Sequence, residues 1–219
     1  MATATTAIGI LDLQGGVVEH LDHLQRLGIP GVRVKRPDEL AGLAGLILPG
    51  GESSCLARLM RIFELDLAIR REFERGLKLW GTCAGAILLA KHIVGEPPHL
   101  GLIDLEVQRN AYGSQLDSFK SEAWLPAVAA ASIPLTFIRA PKITRVGADI
   151  SVLLRHGDAI AAAESSQVLV TTFHPELTGS LAFHRYFARK SGLRPRGGGE
   201  GAEVDPSWDR TSWTQQALP

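Results

Sequence analysis

LKLWGTCAGAILLAKHI, residues 77–93, decides how the chain is read. LKLWG (77–81) has the apolar run of a buried strand, and AGAILLAKHI (84–93) has the pattern of a helix. Cys83 therefore stands in the turn between them, with Gly81 and Gly85 on either side. Two explanations of that cysteine stay open on the pentapeptide GTCAG alone. A reduced cysteine is a good small core residue. A thiol at a strand-to-helix turn also faces backbone N–H groups that favour its anion, the form that acts as a nucleophile. Gly-Thr-Cys-Ala-Gly has the layout of the Gly-x-Ser-x-Gly elbow of serine hydrolases, with sulfur in place of oxygen. In such an elbow the N–H of the following residue, here Ala84, is placed to hold an oxyanion.

Working outward, AIGILDL (7–13) and LAGLILPGG (43–51) read as further buried strands, and GVRVKRP (31–37) as a short one. EHLDHLQRLGI (19–29) carries Leu21, Leu24 and Leu27 at helical spacing with Gly28 as a stop. SSCLARLMRIFELDLAIRREFERG (53–76) is helical with a break expected near Glu64 to Asp66. Buried strands alternating with amphipathic helices predict a doubly wound, mostly parallel α/β sheet of flavodoxin-like type, with helices on both faces. On such sheets ligands bind beyond the carboxyl ends of the strands. QGG (14–16), PGGES (49–53) and GTCAG all lie at such ends, so they are expected to cluster. The second half is richer in strands, and FHRYFARK (183–190) reads as a closing helix. One domain is expected over residues 1–190, followed by a Gly-, Pro- and polar-rich tail, 191–219, expected to be disordered.

Composition narrows the classes. The 219 residues are 45% hydrophobic and carry 23 basic and 23 acidic side chains, a net charge of zero. That balance gives no electrostatic reason to expect nucleic acid or a membrane surface. The apolar runs are too short to cross a bilayer, and MATATTAIGILDL lacks the pattern of a signal peptide. With two cysteines, Cys55 and Cys83, a reducing cytoplasmic setting is expected.

The seven histidines must supply any base. His20, His23 and His92 are expected on helix surfaces, and His99 and His156 in loops. His20 and His23 are three apart on one helix, but no third ligand is apparent, so no metal is expected. His174 ends the strand QVLVTTF and precedes Pro175, which keeps it out of the helical region. In an extended segment, residues 174 and 176 project to one side, so Glu176 can orient the His174 ring. In PGGES, Gly51 can bring its N–H close to a ligand, as a second oxyanion donor beside Ala84, and Ser53 is the expected helix N-cap.

A cysteine elbow, a downstream His-x-Glu and a PGGES turn resemble the class I, triad-type glutamine amidotransferases. ILDLQGGVVEHLDHL, LILPGGESS, WGTCAGAILLAK, HLGLIDLEVQRNAYGSQLDSF, FIRAP and TFHPELT together look like the glutaminase subunits of pyridoxal 5'-phosphate synthase. The resemblance covers roughly residues 7 to 190. It implies that Cys83 attacks the side-chain amide of L-glutamine, with His174 as base and Glu176 orienting it. It implies that the N–H groups of Gly51 and Ala84 hold the oxyanion, and that Gly51, Glu52, Ser53, Arg109, Ile138 and Arg139 bind substrate. It implies no cofactor, and a (β/α)8-barrel synthase partner in a large hetero-oligomer that consumes the ammonia. The sequence departs from the family at Gly16-Val17-Val18, at Ser54-Cys55, between Arg155 and Ala159, and at GSLAFHRYF after HPELT. These departures bear on partner docking more than on chemistry. They keep open a non-catalytic interaction subunit, beside a different amidotransferase or a γ-glutamyl-type cysteine hydrolase. A Cys55–Cys83 disulfide would need the two sulfurs within bonding reach.

Overall fold

The computed structural model describes residues 7–109 and 118–197. Much of RNAYGSQLDSF and residues 198–219 of the expected tail therefore lie outside the described residues, while 191–197 are placed, with the N–H groups of Arg196 and Gly197 donating to Leu27 O. The first half runs β1 (Ile8–Leu11), α1 (Val17–Arg26), β2 (Gly31–Val34), β3 (Gly45–Leu48), α2 (Ser53–Ile62), α3 (Leu65–Glu74), β4 (Lys78–Thr82) and α4 (Ala84–Leu89). It continues with β5 (Ala90–Ile93) and β6 (Ile103–Gln108). Beyond the gap come β7 (Phe119–Trp124), β8 (Ser132–Phe137), β9 (Lys142–Val146), β10 (Ser151–His156), β11 (Ala159–Glu164), β12 (Val168–Thr171) and α5 (Ala182–Lys190).

The main sheet has the order β2-β1-β3-β4-β12-β11-β9-β6-β5, with β10 added on β11. From β2 to β12 the strands are parallel. This is the doubly wound order, with the carboxyl ends of β1, β3, β4 and β12 on one rim. Past β12 the sheet turns antiparallel through β11, β9 and β6, and β5 pairs parallel with β6. The β7–β8 hairpin stands apart as a second, two-stranded sheet.

Both faces of β1, β3, β4 and β12 are dry, while β2 at the edge is half exposed. Successive residues point to opposite faces, and they divide between two cores. Leu11, Leu46, Leu48 and Leu79 pack with Leu56, Ile69 and Leu88 from α2, α3 and α4. Ile8, Ile10, Ile47, Trp80 and Leu169 pack with Leu24 of α1 and with Phe183 and Phe187 of α5. This two-sided burial is why the strands read as continuous apolar runs rather than alternating ones. Among the described residues, no helix is long and apolar enough to cross a membrane.

Four local expectations are corrected. Helix α4 stops at Leu89 instead of running to Ile93, because the N–H groups of Leu100 and Leu102 take the carbonyls of Leu88 and Leu89. Residues 90–93 are then free to pair with β6, which puts His92 on an exposed strand. His156 ends strand β10 rather than lying in a loop. The N-cap of α2 is Glu52, whose carboxylate accepts from the N–H groups of Ser54 and Cys55, while Ser53 is already helical. Fourth, His20 and His23 are fully buried, not on the helix surface. The face of α1 that carries them packs toward α5 and the His174 turn. The break in the long helical stretch falls at Glu64, which adopts a left-handed conformation between α2 and α3. Both cysteines are free thiols, Cys55 exposed and Cys83 buried.

Candidate active site

Cys83 ends β4 and opens α4 with φ 47° and ψ −105°. Few non-glycine residues hold such a conformation, which costs on the order of 1–3 kcal/mol and persists only where surroundings enforce it. Here the Cys83 N–H donates to Thr171 O in β12, and Cys83 O accepts from Ala86 N–H in α4. Gly85 makes the crossing possible: a Cβ there would fall 2.9 Å from the carbonyl carbon of Leu48. The elbow expected from GTCAG is therefore present, packed against the end of β3.

His174 follows β12 and leads into a 3-10 turn, Pro175–Leu177. Its backbone is non-helical, φ −108° and ψ 87°, and its N–H donates to Thr136 O. The Nδ1 of its ring lies 2.8 Å from Glu176 Oε1, with Glu176 almost fully buried. The ring packs on Gly50, where an added Cβ would clash with it and would also sit 3.4 Å from Cys83 Cβ. Gly50, Cys83 and His174 thus meet at one point, and only a glycine fits between them.

Electrostatics follow from this contact. Burial opposes charge on His174, but the Cys83 and Glu176 charges and hydrogen bonds outweigh it and raise its pKa well above the usual 6.5. Burial also opposes the Glu176 charge, yet the His174 and His20 charges and the His174 hydrogen bond lower its pKa below 4.5. Both shifts favour the charged forms, an imidazolium held against a carboxylate.

These groups line a cavity of about 760 Å³. Of the residues singled out by sequence, Gly51, Glu52, Ser53, Cys83, Ala84, Arg109, Ile138, Arg139, His174 and Glu176 all face it. Ile138 O accepts a long contact, 3.9 Å, from Cys83 Sγ, and Arg139 beside it takes a left-handed backbone, φ 44°. Arg109 is already engaged: Nη2 donates to Glu52 Oε1 at 2.9 Å and Nη1 to Glu96 Oε1 at 3.0 Å and to Ser54 Oγ at 3.0 Å. A carboxylate entering the cavity must share or displace those partners.

Sequence reading missed Gln14. Its Oε1 accepts from Glu52 N–H at 3.1 Å, and its side chain lies against Gly51, so it braces the PGGES turn from the QGG turn. A glutamine beside two glycines carries no signal of its own beyond that of the turn. It missed Glu96 as well, which reaches Arg109 from the loop after β5.

A model described as the SNO glutamine amidotransferase family matches residues 10–192. The chain belongs to this family. A pyridoxal 5'-phosphate synthase subunit PdxT from Syntrophus aciditrophicus strain SB is 58% identical over 210 residues, spanning 96% of this chain and 94% of that one. The protein of the same name from Clostridium botulinum strain Loch Maree is 50% identical over 185 residues, spanning 84% and 96%. A crystal structure of a glutamine amidotransferase superposes with a TM-score of 0.81 at 43% identity, covering 85% of this chain and 100% of that one. The family resemblance drawn from the motifs and the expected α/β fold are both borne out.

Proposed function

We propose that the chain is the glutaminase subunit of a pyridoxal 5'-phosphate synthase, serving vitamin B6 biosynthesis. The observation that carries this reading is the strained Cys83 elbow meeting the His174–Glu176 pair at Gly50, on the wall of a cavity that also holds Arg109. The relatives' names supply the pathway and the existence of a synthase partner.

In this mechanism the Cys83 thiolate attacks the side-chain carbonyl of L-glutamine. The carbonyl electron pair moves onto oxygen, where the N–H groups of Gly51 and Ala84 stabilise it. His174, as imidazolium, gives its proton to the departing nitrogen, and ammonia leaves as the C–N bond breaks. The product is a glutamyl thioester on Cys83. His174, now neutral, takes a proton from water as that water attacks. Glutamate leaves and the thiolate–imidazolium pair returns. Glu176 holds the ring in place throughout. Arg109 pairs with the α-carboxylate of glutamine, and Glu52, Ser53, Ile138 and Arg139 shape the rest of the subsite. Ammonia that escaped to solvent would be protonated and lost as a nucleophile. A docked (β/α)8-barrel subunit that receives it directly, in a cytoplasmic hetero-oligomer, therefore suits the chemistry. No metal or cofactor is assigned, and residues 1–190 are assigned as the catalytic unit.

The test is glutamate release from L-glutamine by the full chain, with and without a pyridoxal phosphate synthase subunit. Turnover that rises with the partner and falls at least about 1,000-fold in Cys83→Ala is expected. A folded protein that releases no glutamate in either condition contradicts the proposal.

A further inference from the structure

Behind the triad, on the side away from the cavity, two histidines have no part in the mechanism above. His20 comes from α1 and His184 from α5, and both are fully buried. His20 Nδ1 and His184 Nε2 are 2.8 Å apart. The other nitrogen of His20, Nε2, is 3.7 Å from Glu176 Oε2. His20 Nε2, Glu176 Oε2 and His184 Nδ1 are all buried without a hydrogen-bond partner. An orphaned carboxylate oxygen in a dry site costs about 1–3 kcal/mol or more. The orphaned nitrogen nearest to it is the natural remedy.

Tautomer logic gives this chain one direction. Oε1 of Glu176 is taken by His174, so Oε2 needs a donor. If His20 carries its proton on Nε2, that N–H faces Oε2, and the bare Nδ1 accepts from His184 Nε2–H. The lone pair left on His184 Nδ1 is the least costly atom in the set to leave unpaired. In the opposite arrangement a bare His20 Nε2 would face a carboxylate oxygen, lone pair against negative charge. Trp80, whose ring meets both histidines edge-on, is no substitute, because its indole N–H lies 3.3 Å from Thr171 Oγ1.

The surroundings keep the two rings neutral. Burial brings the His20 pKa to about 4, against the pull of Glu176 and with His23 and His174 acting in the same sense as burial. Burial, with His23, His20 and Arg26 adding to it, holds His184 well below its ordinary range. His23 stacks on the His184 ring at 4.4 Å. It ties α1 to the turn after the triad through Nε2 and Thr178 O, 2.9 Å apart.

We propose that His20 and His184 are positioning residues for the glutaminase: His20 turns its Nε2–H toward the second oxygen of Glu176, and His184 fixes the His20 tautomer that makes this possible. At 3.7 Å the two atoms stand outside hydrogen-bond distance, so His20 acts on Oε2 through the charge attraction of an N–H aimed at it. Glu176 is then held at both oxygens, one by the base it orients and one by the helical layer behind it. The proposal rests on the glutaminase reading for its kinetic consequence and on the tautomer alone for its structural one.

The experiment has two parts, so that the two readings fail separately. In the full chain assayed with its synthase partner, His20→Leu should lower kcat roughly 10- to 100-fold while KM stays within about twofold. His20→Gln, whose side-chain amide can present an N–H where Nε2 did, should recover most of that loss. In a Glu176→Ala background His20→Leu should cost nothing further. Equal losses in His20→Leu and His20→Gln, or a loss that persists without Glu176, overturn the proposal. The second part is the 15N imidazole spectrum of the wild-type full chain. It should show His20 protonated on Nε2 and bare on Nδ1, with the Nε2–H signal moving in Glu176→Gln. A His20 protonated on Nδ1 overturns the inference even if the enzyme turns over. Should the wild type fail to hydrolyse glutamine, the glutaminase reading falls, while the tautomer still decides the structural claim.

Discussion

At Cys83 the backbone does what the thiol's chemistry asks of it. The positive φ of 47° belongs to the turn that brings the side chain to the cavity wall, and Gly81 and Gly85 let α4 cross close to the ends of β4 and β3. Gly85→Ala would drive a methyl group into the Leu48 backbone, so it should destabilise the protein by roughly 3 kcal/mol or abolish folding, measured by urea unfolding. Gly50→Ala should act differently, displacing the His174 ring and cutting glutamate release far more than stability. The buried histidines give a pH signature. Between about pH 4 and 6.5 an unfolded chain protonates His20 while the folded chain does not, so stability falls as pH falls through that window. A shift of that size corresponds to roughly 3 kcal/mol. His184 acts in the same sense. His174, with its raised value, acts in the opposite one: its contribution is present below 6.5 and is lost as pH rises through the folded value. Thermal unfolding across this window should therefore show a shallower pH dependence in His20→Gln than in wild type.

Among the elements, the strand–turn–helix units were legible because each is written in neighbouring residues. GTCAG, PGGES and HPE all state a turn and its chemistry within five residues. What escaped depends on partners far along the chain. His20 looks like a polar position on α1 until α5 brings His184 against it, 164 residues away. The stretch 84–93 reads as one helix until β6 offers an edge and residues 100 and 102 take its last carbonyls. At the start of α2, Glu52 serves two roles, capping the helix and holding Arg109. Glu52→Ala should cost about 1 kcal/mol in denaturant unfolding through the lost cap. It should also change KM for glutamine, because Arg109 loses one of the partners that place it.

Across the whole molecule, the parallel order β2-β1-β3-β4-β12 brings the QGG, PGGES, GTCAG and HPE turns to one rim. The clustering expected from strand ends alone is what the cavity lining displays. The two cores hold that rim from both faces, α2 to α4 on one side and α1 with α5 on the other. The antiparallel extension beyond β12 and the β7–β8 hairpin were less legible, since short half-buried strands do not state their pairing order in sequence. The hairpin nevertheless matters to the site, because β8 runs directly into Ile138 and Arg139. The central claim is that Cys83 carries the glutamyl group during turnover. The measurement that tests it most directly is the mass of the full chain, quenched in acid while it turns over L-glutamine with its synthase partner. The account predicts a species heavier by one glutamyl group, mapped to the peptide holding Cys83 and absent in Cys83→Ala. An adduct on Cys55, or undiminished glutamate release by Cys83→Ala, would contradict it.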